Sequence, residues 1–217
     1  MWHKALAAVV SVILITTAMP VVDALQFDVA RLQEQAQARY GQQGVSGLSQ
    51  WLAMLREAAA KPTAQQLQMV NDFWNRMILG SEDRNIWGQA DYWATPLETL
   101  GKRGGDCEDF VIGKYFSLVH LGIDPEKLRL VYVRANIGGA SVAHMVLGYY
   151  ETPGAEPLVL DNLMGSILPA GQRRDLQPVF SFNAQGVYVA GSKSAPVSQI
   201  SRWQGLLSRM QAEGFLF

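Results

Sequence analysis

Apolar residues recur at helical spacing through the first half of the chain and alternate in the second. Between Phe27 and Tyr40 they fall at Phe27, Val29, Leu32, Ala36 and Tyr40, close to a 3.6-residue period, and Gly41 follows as a stop. Val45 to Ala60 repeats the pattern with Leu48, Trp51, Leu52 and Leu55, and Pro62 comes next. A third helix is expected from Thr63, which makes a capping box with Gln66. It carries Leu67, Val70, Phe73, Trp74 and Met77 and closes at Gly80. These stripes read as core packing. Residues 81–105 predict irregular, aromatic-rich backbone, with Trp87, Tyr92, Trp93 and Pro96. A fourth helix follows from about Cys107 to Leu121, with Phe110, Val111, Tyr115, Phe116 and Val119 inward and Gly122 as its stop.

After Pro125 the period changes. Leu128–Arg134, His144–Tyr150, Leu158–Asn162, Phe180–Phe182 and Val187–Ala190 read as strands, separated by turn signals at Gly138-Gly139, Pro153-Gly154 and Gln185-Gly186. Ser198 to Gln211 reads as a last helix. Helices first and a meander of strands after indicate an α+β fold. Neither an internal repeat nor a low-complexity linker interrupts it.

The beginning of the chain has a different character. His3 and Lys4 precede the uncharged run Ala5–Ala18, Pro20 breaks it, and Val22 and Ala24 offer small residues for cleavage after Ala24. That layout predicts a secretory signal peptide over residues 1–24, with an uncleaved anchor as the alternative. Residues 25–217 then form a single domain large enough for its own core. A net charge of −1 without a basic stripe gives no footprint for nucleic acid. The single cysteine, Cys107, is a free thiol or half of an intermolecular bridge.

Cys107 lies in RGGDCEDF, among Asp106, Glu108 and Asp109. With Asp106 as N-cap, Cys107 becomes the first helical residue, where free backbone N–H groups and the helix dipole favour a thiolate. Gly104 and Gly105 leave the approach to the sulfur uncrowded. A thiol attacking a carbonyl needs a base, and the base needs an orienting partner. His3 is in the leader, and His120 lies at the far end of the cysteine's own helix, roughly 20 Å away. His144 remains, at a strand start, and Asp161 ends the following strand. If these strands are antiparallel neighbours, the two side chains meet and Cys107 completes a Cys-His-Asp triad. Asp106, Glu108 and Asp109 oppose the thiolate, which a solvated acidic helix start or a bound divalent cation would explain. A cation such as calcium would cancel that charge and pin the loop that aims Cys107.

The stretch DYWATPLETLGKRGGDCEDFVIGKYFSL, with AHMVLGYY, LVLDNL and the later SFN, resembles the bacterial transglutaminase-like cysteine proteinases, in particular the LapG-type periplasmic proteases. The resemblance implies a papain-like, transglutaminase-like core. Its N-terminal helices pack with a helix bearing the cysteine and an antiparallel sheet bearing the histidine and aspartate. It also implies the triad Cys107, His144 and Asp161, and calcium held by Asp106 and Glu108 with Asp109 as a further ligand. Such proteases clip the N-terminal region of a large surface adhesin at paired small residues, typically Ala-Ala, and release cells from biofilm. An inner-membrane receptor for cyclic-di-GMP sequesters them. The oxyanion donors would be the Cys107 amide and a group from the aromatic loop, with Trp93 as donor, wall or packing residue. Acyl transfer to an amine, a non-catalytic partner-binding module, and a domain in which calcium only holds the fold are the competing expectations.

Overall fold

The computed structural model describes residues 25–189 and 192–217, so the leader and its cleavage point lie outside the described residues. A short strand, β1 (Gln26–Phe27), leads into α1 (Val29–Ala58). Asp28 caps α1, accepting from the Arg31 N–H at 3.0 Å. The stop expected at Gly41 is a kink inside this helix: Gly41 has φ 57° and ψ −146°, a conformation that glycine reaches without a Cβ clash. α2 spans Thr63–Met77, but the predicted Thr63 capping box is absent. Pro62 is the N-cap, and Gln66 turns back to the Ala58 carbonyl at 3.3 Å.

The stretch expected to be irregular holds β2 (Leu79–Gly80), α3 (Asp83–Trp87), α4 (Pro96–Lys102) and β3 (Gly104–Gly105). At α4, the Glu98 N–H donates to Thr95 Oγ1 at 3.1 Å and the Thr95 N–H donates to Glu98 Oε2 at 2.8 Å. The run T-P-L-E carries that capping signal, but seven residues are too few for apolar periodicity to show. α5 (Cys107–His120) follows, then β4 (Leu128–Ile137), β5 (Ala140–Tyr149), β6 (Leu158–Leu160) and β7 (Leu168–Pro169). β8 (Leu176–Asn183), β9 (Gly186–Val189), β10 (Ser192–Ala195), α6 (Ser201–Glu213) and β11 (Phe215–Leu216) complete the described chain.

Seven strands form one antiparallel sheet in the order β10-β9-β8-β4-β5-β6-β7. Gly138 and Gly139, at φ 59° and 86°, turn β4 directly into β5, the left-handed pair that a two-residue hairpin requires. β1 and β11 pair separately, antiparallel, and β2 and β3 pair parallel. This is the expected α+β class, but the strands are not the simple meander expected, because β8 crosses back from the β7 edge to pair with β4. Among the described residues no helix is long and apolar enough to cross a membrane.

α5 is the centre of the core, buried without interruption from Asp109 to Val119. The sheet covers one side of it and α2 and α4 another. Trp203 of α6 stacks on Phe116 at 5.5 Å. Trp51 of α1 and Trp74 of α2 both donate their indole N–H to Ser117 Oγ, at 2.8 and 3.0 Å, and Ser117 donates to the Gly113 carbonyl at 2.7 Å. One hydroxyl thus satisfies two buried donors. Gly113 lets the helices close, since a Cβ there would lie 2.5 Å from the Trp74 ring. Ser117→Ala should orphan both indoles and destabilise the fold by roughly 1–3 kcal/mol for each donor left unpaired, read as a lower urea midpoint; an unchanged midpoint would contradict this role.

Candidate active site

The parallel pairing of β2 with β3 builds one side of the site. Leu79 lies opposite Gly104 and Gly80 opposite Gly105, and the Ser81 N–H donates to the Gly105 carbonyl at 2.9 Å. The residues that follow each strand therefore run side by side, and Asp83 arrives beside Asp106 and Asp109. One carboxylate oxygen from each of these three lies within 4.8 Å of the others, and Asp83, Asp91 and Glu108 form a second such group. Asp83 and Asp109 are buried. Asp109 accepts from the Ala94 N–H at 2.8 Å, and Asp83 accepts from the Tyr92 N–H. The remaining oxygens, Asp83 Oδ1, Asp106 Oδ1 and Asp109 Oδ2, are buried with no hydrogen-bond partner. Burial and mutual repulsion push Asp106 up to about 9 and raise Asp83 and Asp109 as well. Buried carboxylate oxygens that converge without donors have the chemistry of a site for a hard cation.

Asp106 occupies the N-cap position of α5, but its side chain makes no capping bond, which corrects the capping role expected for it. The glycines before it also serve differently from the expectation. A Cβ on Gly105 would lie 2.8 Å from the Asp109 side chain, and one on Gly104 would lie 3.2 Å from Ile86. They make room for a buried acid and a buried aliphatic group.

Cys107 is half-buried at the first position of α5, as expected. Its thiol donates to Glu108 Oε2 at 3.1 Å, and the Met145 amide of β5 faces the sulfur. Burial, then the Glu108 and Asp106 carboxylates, push the thiol far above its usual range, against the Met145 amide. Burial and the acids together thus oppose the thiolate that the helix start was expected to favour.

The histidine and aspartate come together. β5 and β6 pair antiparallel, with Leu147 opposite Leu160, and bring His144 Nε2 to 2.8 Å from Asp161 Oδ1. His144 sits within β5 rather than at its start, because the strand begins at Ala140. Both side chains are buried. Asp161 Oδ1 also accepts from the Leu163 N–H at 3.0 Å, and Oδ2 accepts from Arg173 Nη2 at 2.7 Å. Burial alone would raise Asp161, but the donors from His144, Leu163 and Arg173 hold it down at about 2. Arg173 is itself clamped by Asp175, at 3.0 and 2.7 Å. The bonded pair His144–Asp161 thus stands beside Cys107, linked through the amide of the residue next to His144, while the thiol's own hydrogen bond goes to Glu108.

The other residues weighed from sequence have structural places. His120 bonds the Leu25 carbonyl at 2.7 Å and stacks on Phe27 at 4.1 Å. Trp93 is buried and stacked on Phe182 at 5.7 Å, the packing role. Trp87 packs against Tyr92 in a tilted arrangement, ring centroids 4.8 Å apart, with Lys102 over its ring. Two residues of the site had no signal in the sequence. Asp83 arrives through a two-residue parallel pairing, and Arg173 through a loop that folds back on Asp161.

The family model of the bacterial transglutaminase-like cysteine proteinases (BTLCP) matches residues 48–174. Among solved structures the chain is similar to Legionella pneumophila LapG, with 37% identity and a TM-score of 0.74 over 86% of this chain and 99% of that one. It is similar to the EGTA-treated form with 38% identity and a TM-score of 0.75, over 86% and 100% of the two chains. For the calcium-bound form the values are 39% and 0.72, over 84% and 98%. No curated protein matches the sequence. Cys107, His144, Asp161, Arg173 and the clustered acids all fall within the matched residues. With more than half of its length matched and the fold shared, the chain belongs to the bacterial transglutaminase-like cysteine proteinases.

Proposed function

We propose that this protein is a calcium-dependent cysteine endopeptidase of the periplasm, exported by its leader, with Cys107, His144 and Asp161 as its triad. Its substrate is the N-terminal region of a large surface adhesin, cut between paired small residues to release cells from biofilm. Its sequestering partner is an inner-membrane receptor for cyclic-di-GMP. Family membership supports the peptidase chemistry. The resemblance to LapG-type proteases supports the substrate, the partner and the compartment. The observation that carries the catalytic reading is the 2.8 Å bond between His144 Nε2 and Asp161 Oδ1 on the strand whose next amide faces Cys107.

The chemistry follows from which nitrogen is taken. Nε2–H donates to Asp161, so Nδ1 carries the lone pair that receives the thiol proton. Arg173 holds the second carboxylate oxygen, and Asp161 cannot rotate away from the ring. The sulfur attacks the peptide carbonyl, and the Cys107 amide at the helix start stabilises the oxyanion. The proton on His144 passes to the leaving amine, giving a thioester. Water, deprotonated by the same nitrogen, then releases the acid. Asp83, Asp106, Glu108 and Asp109 are the residues that would hold calcium, which supplies the positive charge that their orphaned oxygens need.

Purified residues 25–217 should cut the N-terminal region of an adhesin from the same genome into two fragments with calcium, and not with EGTA or as Cys107→Ala. Cleavage by Cys107→Ala would overturn the thiol mechanism, and cleavage in EGTA would remove the metal from it. A product joined to an added amine would make the enzyme a transferase. Asp161→Asn should keep the fold and lower kcat by roughly three to four orders of magnitude, because the imidazole loses its fixed tautomer; near-normal turnover would mean that another group orients His144. Asp83→Asn should weaken calcium binding at least ~10-fold by titration calorimetry, the cost of one charged ligand; unchanged affinity would place the ion elsewhere.

A further inference from the structure

The sheet has a second apolar face. Leu130, Leu147 and Leu160 of β4, β5 and β6 join the main core. The alternate positions Val131, Val133, Val146 and Val159 form a separate cluster on the opposite face. These valines line a cavity of about 320 Å³, enough for a small organic ligand. Val179 of β8 and Tyr188 and Val189 of β9 wall it on one side, and Pro157 and Ala170 on the other. Val179 and Val189 are exposed at its rim.

Among the described residues that line this trough, Arg129 and Arg173 are the charged ones. Arg173 stands at the end where β4 finishes, since the Asn136 N–H donates to the Asp175 carbonyl at 2.8 Å. Its charge is already committed to Asp161 and Asp175, and its Nη1 is buried without a partner. Arg129 stands at the other end. Its guanidinium lies 4.5 Å from the Tyr150 ring centroid and 4.1 Å from that of Tyr188. The Tyr150 hydroxyl bonds it, but Nε is buried without a partner, and no carboxylate pairs with it among the described residues. The trough therefore has one uncompensated positive charge, at one end of an apolar floor. From Arg129 to Val133 the strand rises roughly 13 Å. With two rings against it, the guanidinium is left its edge, and a planar carboxylate takes that edge by two parallel bonds.

We propose that this trough binds a free aliphatic carboxylic acid, its carboxylate on Arg129 and its chain along Val131, Val146 and Val159 toward Arg173. Such a ligand covers the apolar face and supplies the anion that Arg129 lacks. Peptide cleavage uses neither feature. The far end of the trough adjoins the histidine and aspartate: Val133 lies opposite His144, and Arg173 Nη2 donates to Asp161 Oδ2 at 2.7 Å.

Decanoate, kept below its micelle concentration, is the probe, titrated into the 25–217 protein by calorimetry and by NMR of the valine methyls. Binding should saturate at a single site, with the methyls of Val131, Val146 and Val159 shifting. Decanol has the chain without the charge, and acetate the charge without the chain. Each should bind at least ~10-fold more weakly than decanoate. Arg129→Met keeps apolar packing against the two rings and removes the charge. It should weaken decanoate at least ~10-fold and leave decanol unchanged. Val179→Glu, at an exposed rim position, sets a like charge beside the chain and should also weaken decanoate, which decides the matter if Arg129→Met does not fold. Equal affinity for decanol and decanoate would overturn the proposal, as would uptake that never saturates or shifts scattered over the surface. Binding to anionic lipid vesicles with none to free decanoate would also overturn it, making the face a membrane contact. Binding is read without turnover, so the result stands whether or not the protein cuts an adhesin.

Discussion

A helix buried on every side has no water to which it can send a charge or an unpaired hydrogen bond, and α5 is such a helix. Its polar groups therefore dictate what surrounds them. Ser117 takes the indoles of Trp51 and Trp74, which fixes α1 and α2 against it. Asp109 takes the Ala94 amide, which brings the aromatic loop over the helix start. Gly105 and Gly113 lack side chains where Asp109 and the Trp74 ring press closest. Only the two ends of α5 remain accessible, and the first carries the one thiol of the chain. The core thus aims Cys107, and the chemistry is confined to the end of an element that cannot shift without opening the whole interior.

Two carboxylates near that helix show what decides their charge. Asp161 is buried, yet three donors hold it at about 2. Asp106 is less enclosed, yet it stands at about 9, because Glu108 and Asp109 surround it instead of donors. Burial raises both, and the difference lies in what the protein aims at the oxygens. Asp161 is completed by protein groups and needs nothing more. The group formed by Asp83, Asp106 and Asp109 leaves an oxygen on each acid without a partner. Two sets of buried carboxylates in one site are thus distinguished by donor supply.

Much of this was legible in the order of residues. The change from a 3.6-residue to a two-residue period gave α+β, and HMVLGYY followed by LVLDN read as antiparallel neighbours that join His144 to Asp161, as the structure has them. The misses share a cause: they depend on contacts between segments distant in sequence. Asp83 reaches Asp106 through two strand residues, too short a run to leave a pattern. Arg173 reaches Asp161 only because its loop folds back, and nothing local in the sequence marks it. Local caps failed where tertiary demand prevailed. Asp106 stands at a cap position with its carboxylate turned to other work, and Gln66 bonds backward to Ala58 rather than closing a box with Thr63.

The acid cluster also depends on a helix more than a hundred residues away. Arg209 of α6 donates to the Trp93 carbonyl, and Tyr92 donates its hydroxyl to Glu98 at 2.9 Å. Glu98 in turn accepts from Arg39 of α1 at 2.8 Å and closes the capping box of α4. The backbone held by these contacts presents the Tyr92 and Ala94 amides to Asp83 and Asp109. The loop thus supplies a backbone donor to each of these two acids, and Asp109 takes a second from the Asp106 amide at the helix start. α1, α4 and α6 thus act on the acid cluster through this loop, at a distance in sequence that no local pattern records.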